Sequence, residues 1–318
     1  MAPLIPRLHL FEIDDQSWFP PYLRARVQDG LMHAWTFYLP ILQPCSPATL
    51  VANVLQRILG SSISKFAFID FCAGAGGPTP FIERALNASL SKPRPGAAPS
   101  NTDAASKDTP SYAAVAAESN GVPEGAVDFV LTDLHPHPES WAVIAKQSAH
   151  ITYEPSSVDA ANAPPGLVGR YKSAGKKVFR LFNLAFHHFD DPLARAILKN
   201  TVESSDGFGI FELQDRSIGS FITCFLYGVF ILLVAPFFYW WSPTRLFFVY
   251  LCPIIPFVLV FDGLISSLRT RTPDEVEVLL RTCGTNTDDW VIESGRERFL
   301  WPTGYLNWIV CTKKQRGT

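Results

Sequence analysis

The stretch Lys65-Phe66-Ala67-Phe68-Ile69-Asp70-Phe71-Cys72-Ala73-Gly74-Ala75-Gly76-Gly77 constrains the fold more than any other part of the chain. An apolar run ends in an acid. Small residues and three glycines follow, and Pro78-Thr79-Pro80 opens a helical pattern that continues through Leu86. That order predicts a buried strand, a tight turn and a helix start. Glycine has no Cβ, so the backbone at Gly74, Gly76 and Gly77 can approach a ligand closely. Asp70 adds a fixed acceptor beside the turn. Such a junction suits a nucleotide-like cofactor at the carboxyl edge of an open α/β sheet.

The remaining pattern alternates strand and helix, which argues a parallel sheet. Strands are expected at Val127–Asp133, ending in an acid, at His150–Tyr153, and at Lys177–Leu184, which leads into Ala185-Phe186-His187-His188-Phe189. Another is expected at Gly207–Leu213, with Glu212 near its end. Helices are expected at Glu139–Gln147 and Leu193–Val202, and Pro164-Pro165-Gly166 reads as a break. A third acid, Asp159, follows the third strand. Before the glycine strand, Pro20 and Pro21 start a helix with Leu23, Val27, Leu31 and Trp35 on one face, and Ala48–Leu59 is a second helix. Residues 1–59 are expected to form a helical lid or a helix packed at the sheet edge, with Trp18 as a residue that would cover the cofactor. Thr272-Pro273-Asp274-Glu275 carries a capping threonine, a first-turn proline and two acids, so a helix starts there. Trp290–Ser294 and Tyr305–Thr312 read as two closing strands.

Two segments interrupt this alternation. Residues 88–126 are rich in Ser, Pro, Ala, Asn and Gly and cannot bury enough apolar surface to order themselves, so a disordered insertion is expected. Ile218 to Trp241 contains no charge, and roughly 20 apolar residues suffice to cross a bilayer. Ser242-Pro243-Thr244-Arg245 turns the chain, Leu246 to Phe261 is again uncharged, and Pro253 and Pro256 should kink it. Tyr239, Trp240 and Trp241 resemble interfacial aromatics. Residues 218–269 are therefore expected to be a transmembrane hairpin of two spans, with a hairpin dipping into one leaflet or a buried core pair as alternatives. Arg216, Arg269 and Arg271 against the lone Arg245 at the tip put the catalytic side in the cytosol. Asp262, the acid within the second apolar run, is either functional or a cap at the segment end.

Composition excludes several classes. Of the 318 residues, 47% are hydrophobic and the net charge is −2, with no basic block, so a nucleic-acid footprint is not expected. Cys45, Cys72, Cys224, Cys252, Cys283 and Cys311 are scattered, which argues against a cysteine zinc site or a disulfide framework and fits a reducing compartment. No metal site is expected. The first ten residues lack the apolar core of a signal peptide, and Asn87-Ala88-Ser89 reads as a chance glycosylation match.

Asp70 with Gly74-Ala75-Gly76-Gly77, Asp133 after the second strand and Asp159 after the third together resemble the class I S-adenosylmethionine-dependent methyltransferases. The resemblance covers roughly residues 60–87, 127–215 and 272–313, and is closest to a subgroup with a Thr-Asp-Leu second strand and a Phe-His-His-Phe fourth strand. It implies an α/β fold: a Rossmann-like seven-stranded sheet with helices on both faces and an antiparallel final strand pair. The sheet domain would occupy 60–217 and 270–318. The resemblance further implies that Gly74, Gly76 and Gly77 cradle the methionine part of S-adenosylmethionine, with Asp70 near its amino group. Asp133 would take the ribose hydroxyls, Asp159 the adenine amino group, and Asn183 would end the fourth strand at the cofactor. The long insertion and the hairpin depart from the common fold. A glycine turn alone also suits a nicotinamide-dependent reductase, but that reading predicts neither Asp159 nor the closing strand pair.

Methyl transfer depends mainly on positioning and desolvation, and a hydroxyl or carboxyl acceptor needs a base. His187 and His188 lie at the right sheet edge for that role; one histidine packing and the other bonding backbone is the plain alternative. Glu212, at the end of the fifth strand, either lines the acceptor pocket or makes a structural hydrogen bond. His135 and His137 are expected on the surface. The expected function is a membrane-anchored methyltransferase for a small apolar or lipid-like acceptor, methylated at oxygen or carbon. A catalytically silent membrane protein that binds the cofactor and assembles with a partner is the alternative.

Overall fold

The computed structural model describes residues 3, 5–91 and 125–314. Strands β1 (Phe66–Phe71), β2 (Asp128–Thr132), β3 (Ile151–Tyr153), β4 (Lys177–Asn183), β5 (Gly207–Glu212), β6 (Trp290–Leu300) and β7 (Gly304–Lys313) build one sheet. Their order is β3-β2-β1-β4-β5-β7-β6. The first five run parallel, while β7 is antiparallel to both β5 and β6. This is the seven-stranded α/β sheet with an antiparallel end that the resemblance implied.

Every residue of β1 is buried, as expected of a parallel strand covered on both faces. Its side chains alternate between two cores. Phe66 and Phe68 join the core under α2 (Pro47–Leu59) and α3 (Thr79–Leu90), where the Phe68 ring stacks on Phe129 at 4.9 Å between centroids. Ile69 and Phe71 join the other core, with α5 (Pro165–Ser173), α6 (Asp191–Ser204) and α10 (Pro273–Arg281). Burying each such phenylalanine contributes about 1.5–3 kcal/mol. Arg180 of β4 is fully buried on that second face. It donates to Ala160 O, Thr201 Oγ1, Asn200 Oδ1 and Ser204 Oγ and lies over the Phe71 ring, and burial lowers its pKa to about 9. The expected cap at Thr272 is a full capping box with Glu275, with both reciprocal hydrogen bonds made.

The structure departs from the sequence expectation at several elements. Pro165 starts α5 where a break was expected, because proline at the first helical position needs no partner for its missing N–H; Leu167 and Val168 then bury against the sheet. Helix α3 continues to Leu90, past the expected start of the insertion at 88. Of that insertion, residues 92–124 lie outside the described residues. Asn87 bonds both the N–H and the C=O of Val127, so its amide has a structural task. Strand β6 runs on to Leu300 through Arg296, Glu297 and Arg298, charges that an edge strand tolerates.

The hairpin begins with α7 (Ile218–Phe238), a helix of 21 residues long and apolar enough to cross a membrane. Helix α8 (Pro243–Leu246) runs into a π turn at Phe247–Leu251, and α9 (Ile254–Arg269) follows after a 62° bend. The break falls at Cys252-Pro253, so the kink expected at Pro253 is present. With α1 (Pro21–Thr36), the hairpin encloses a third core of Phe19, Leu23, Val27, Ile231, Val249 and Leu259. The opposite side of α7 remains bare: Phe225, Leu233 and Phe237 are 61%, 66% and 80% exposed.

Candidate active site

Strand β1 lies between β2 and β4, so the chain connections diverge at its carboxyl end and open a crevice there. The chain leaves β1 through left-handed backbone at Cys72 (φ 67°), Gly74 (φ 52°), Gly76 (φ 118°) and Gly77 (φ 46°). Cys72 holds that conformation despite its Cβ, at a cost of about 1–2 kcal/mol. Gly76 is favoured by its φ, which side-chain-bearing residues rarely adopt, and a Cβ there would also press on the terminal methyl of Ile144 of α4 (Pro138–Gln147). Gly74 faces open space, with nothing within 4 Å of where a Cβ would stand. The turn is braced by the Trp141 indole N–H, which donates to Gly74 O at 2.8 Å, and by Ala73 N–H, which donates to Thr132 O at 3.0 Å.

Asp133 is part of this turn. Its carboxylate accepts the Gly74 N–H at 2.8 Å and the His135 N–H at 2.8 Å. Asp159 is exposed and accepts the Ala161 N–H at 2.8 Å, in a local turn of its own. Burial, and then the negative charges of Asp133, Asp70 and Asp159, raise the Cys72 thiol pKa. Val158, the neighbour of Asp159, donates its backbone N–H to Asp133 O at 2.9 Å, so Asp159 follows directly on the segment that Asp133 ties to the glycine turn. Asp70 is buried and accepts a hydrogen bond from the Thr79 hydroxyl, and Asn183 donates to the same hydroxyl oxygen at 3.4 Å. Thr79 thus links the ends of β1 and β4. Asp70 Oδ1 and Asn183 Oδ1 are both buried without a hydrogen-bond partner. Burial pushes the Asp70 carboxyl up to about 7, against the hydrogen bonds from Thr79 and Asn183 and with help from the Asp133 charge.

Four residues past Asn183 stands His187. Leu184 takes φ 52°, and Phe186–His188 forms a 3-10 turn beyond the strand. His187 is 2% exposed, and its Nδ1 lies 2.9 Å from Glu212 Oε2. Glu212 also accepts the His187 backbone N–H at 3.2 Å. A carboxylate only accepts, so Nδ1 carries a proton. His187 and Glu212, singled out separately in the sequence, are joined by these two hydrogen bonds. His188 bonds Asp15 at 3.0 Å instead. Burial works to lower the His188 pKa, but the Asp15 hydrogen bond and the charges of Glu12 and Asp15 outweigh it, so the pKa stands above its ordinary value.

The sequence reading missed the partners from the N-terminal strap and the hairpin root. Glu12, buried, lies 3.6 Å from His187 Nε2 and 3.8 Å from His188 Nδ1. Arg269 of α9 pairs with Glu12 at 2.9 Å, and Ser266 donates to it at 3.0 Å. Asp262 accepts the N–H groups of Ile13 and Asp14, at 2.7 and 2.9 Å, so it pins the strap rather than capping the helix exit. Three acids within Glu12-Ile13-Asp14-Asp15 were the only available signal, and nothing in their spacing reveals what they meet. Trp18 is 66% exposed, while its neighbour Phe19 is the buried residue. His135 and His137 are exposed as expected.

No family model matches the chain, and no curated protein matches it. Among solved structures, the plantazolicin methyltransferase BpumL in complex with SAH overlaps at a TM-score of 0.40 and 12% identity, covering 92% of this chain and 98% of that one. A putative Zn-dependent alcohol dehydrogenase from Rhodobacter sphaeroides overlaps at 0.41 and 14%, covering 91% and 98%. The methyltransferase domain of bacterial CtHen1 overlaps at 0.40 and 10%, covering 82% and 97%. Overlaps this loose leave the reading to the chain's own sheet order and site geometry.

Proposed function

We propose that the chain is an S-adenosylmethionine-dependent methyltransferase, held at a membrane by its hairpin, that methylates a small apolar or lipid-like acceptor at oxygen or carbon. The carrying observation is the acceptor-rich edge at the β1 turn. Asp133 accepts the Gly74 N–H there, Val158 beside Asp159 bonds the Asp133 carbonyl, and Asp70 Oδ1 and Asn183 Oδ1 are buried without donors. Buried acceptors call for donors. The ammonium, ribose hydroxyl and adenine amino groups of S-adenosylmethionine are such donors, and open space at Gly74 suits its close approach. Asp133 would hold the ribose, Asp159 the adenine amino group, and Asp70 with Asn183 the ammonium end. A nicotinamide cofactor would use one of these acids and leaves the antiparallel β6–β7 end unexplained.

When bound, S-adenosylmethionine supplies an electrophilic methyl group on a positively charged sulfur. Glu212 fixes the His187 tautomer, so Nε2 presents a lone pair that can take a proton from an acceptor hydroxyl. Burial of His187 and Glu212 keeps water away from that proton transfer. The apolar face of α7 supports an acceptor that arrives by lateral diffusion in the bilayer. Two spans with the catalytic domain facing the cytosol is the topology the sequence suggests. The Arg245–Asp29 pair, 2.7 Å and buried on the arginine side, favours a hairpin in one leaflet with the same side facing the cytosol.

Calorimetric titration of the detergent-solubilised chain with S-adenosylmethionine and with NAD(P)H tests the cofactor. Binding of the former, abolished by Asp133→Ala, is expected; binding of the nicotinamide alone would overturn the reading. Mass spectrometry of a membrane extract incubated with the enzyme and labelled cofactor then identifies the acceptor.

A further inference from the structure

We infer that Glu12, His187 and His188 form a binding site for one divalent transition-metal ion, of the zinc or cobalt type, between the N-terminal strap and the end of β4. The ligand atoms of these three residues all lie within 4.8 Å of one another. Glu12 stands 3.6 Å from His187 Nε2 and 3.8 Å from His188 Nδ1. Both separations are too long for hydrogen bonds. They are close to the edge of a tetrahedral site, about 3.4 Å when metal–ligand bonds are about 2.0–2.1 Å. Small side-chain shifts would bring all three onto one ion.

The surroundings have the support that a metal site requires. A ligating histidine ordinarily donates its other ring N–H to a carboxylate, which orients it and raises its basicity. His187 does this through Nδ1 to Glu212 at 2.9 Å, leaving Nε2 aimed at Glu12. A ligating carboxylate is itself held by hydrogen bonds. Glu12 Oε1, the oxygen 3.6 Å from His187 Nε2, accepts the Ser266 hydroxyl hydrogen bond at 3.0 Å and is ion-paired with Arg269 at 2.9 Å, while Oε2 is the oxygen facing His188. Asp15 Oδ2, 3.0 Å from His188 Nδ1, accepts the proton of that nitrogen when no ion is bound; binding releases this proton to solvent and leaves Oδ2 within reach as a further oxygen ligand. Charge points the same way. Glu12, Asp15 and Glu212 bring three carboxylates to a place where Arg269 is the cation paired with Glu12 and Asp15, and a divalent ion would balance the excess. Two imidazoles with one carboxylate suit zinc, cobalt or iron and discriminate against magnesium and calcium, which prefer all-oxygen sites. No cysteine takes part, so the scattered cysteines do not bear on it.

The site goes beyond the methyltransferase reading and stands on its own geometry. If both hold, Nε2 binds the ion instead of taking a proton, and the ion lowers the pKa of an acceptor hydroxyl in its place. The full chain in detergent, stripped with a chelator and then dialysed against Zn²⁺, should retain one ion per chain by elemental analysis. Co²⁺ should give a visible absorption band that Zn²⁺ removes and Mg²⁺ does not. Glu12→Gln and His187→Asn should each weaken binding roughly tenfold or more, and Glu212→Gln by roughly ten- to a hundredfold. His150→Ala, remote from the cluster, should leave it unchanged. Should His187→Asn fail to fold by circular dichroism, Glu12→Gln decides. An ion not retained by the wild-type chain, or retained equally by Glu12→Gln, overturns the site. S-adenosylmethionine titrations on the same samples keep the two ideas apart, since Glu12→Gln should bind that cofactor normally.

Discussion

At the scale of single residues, Asp70 carries the clearest consequence. Its folded pKa of about 7 stands above the ordinary value of 3.8, because burial penalises the charged form. The folded state therefore holds a proton that the unfolded chain has released. Stability from this group is fully present below the unfolded pKa and falls as pH rises from about 4 to about 7. Asp70→Asn removes the titration while keeping an acceptor for the Thr79 hydroxyl. Its melting temperature relative to wild type should therefore climb between pH 5 and pH 8, reflecting on the order of a few kcal/mol. An offset that is the same at both pH values would show that Asp70 does not hold the proton. The acid itself was legible, since it ends an apolar run before a glycine turn. Its links to Thr79 and Asn183 were not, because they join residues 9 and 104 apart along different chain segments. Glu12 shows the same limit more strongly: its partner Arg269 lies 257 residues away, which is simply 269 minus 12.

At the scale of elements, the glycine turn and α4 are fitted to each other. Gly74 and Gly76 both have positive φ, yet only Gly76 has a neighbour in the way. Gly74→Ala should cost about 1–2 kcal/mol, the left-handed penalty alone. Gly76→Ala should cost about 3 kcal/mol or more, combining backbone strain with the collision against Ile144. Adding Ile144→Ala should recover only the steric part, and thermal melts of the two single variants and the pair measure the split. Full recovery would mean that the backbone at Gly76 is not strained. Strands and capped helices are legible in the sequence because their signals are local: short apolar runs, Pro starts, Thr272 with Glu275. Helix α5 was missed because Pro164-Pro165-Gly166 looks like a break, while its reason for being helical, burial of Leu167 and Val168, is tertiary.

At the scale of the whole molecule, the question is how the hairpin meets the bilayer, and α1 decides what each arrangement costs. This helix has 16 residues, so it is about 24 Å long, against about 32 Å for the 21 residues of α7. It lies along the hairpin for much of that length. Tyr22 packs on Phe248, the Tyr227 hydroxyl donates to Gly30 O at 2.5 Å, and Phe37 packs on Phe230 at 5.3 Å. At the tip, Arg245 pairs with Asp29 and stacks on the Tyr239 ring at 3.8 Å. Pushing the tip across a bilayer would carry Asp29, Arg24 and Arg26 toward the hydrocarbon, at about 2.5–3.5 kcal/mol for each charge at the centre, or would strip α1 from the hairpin and open the third core. The arginines that gave the sequence its positive-inside bias are also tied within the protein: Arg216 to Glu275 at 2.6 Å and Arg271 to Asp191 at 2.8 Å. A hairpin lying with its bare α7 face in one leaflet avoids both costs, with Trp240 and Trp241, 74% and 64% exposed, near the headgroups. A glycosylation acceptor on a short spacer inserted between Ser242 and Pro243 distinguishes the arrangements in microsomes. The one-leaflet hairpin keeps the tip on the catalytic side, so no glycan should be added, and a protease supplied from outside should cut at the spacer. A glycan on most chains would instead establish two spans, and α1 would then either enter the membrane with its charges or part from the hairpin, breaking the Asp29–Arg245 pair.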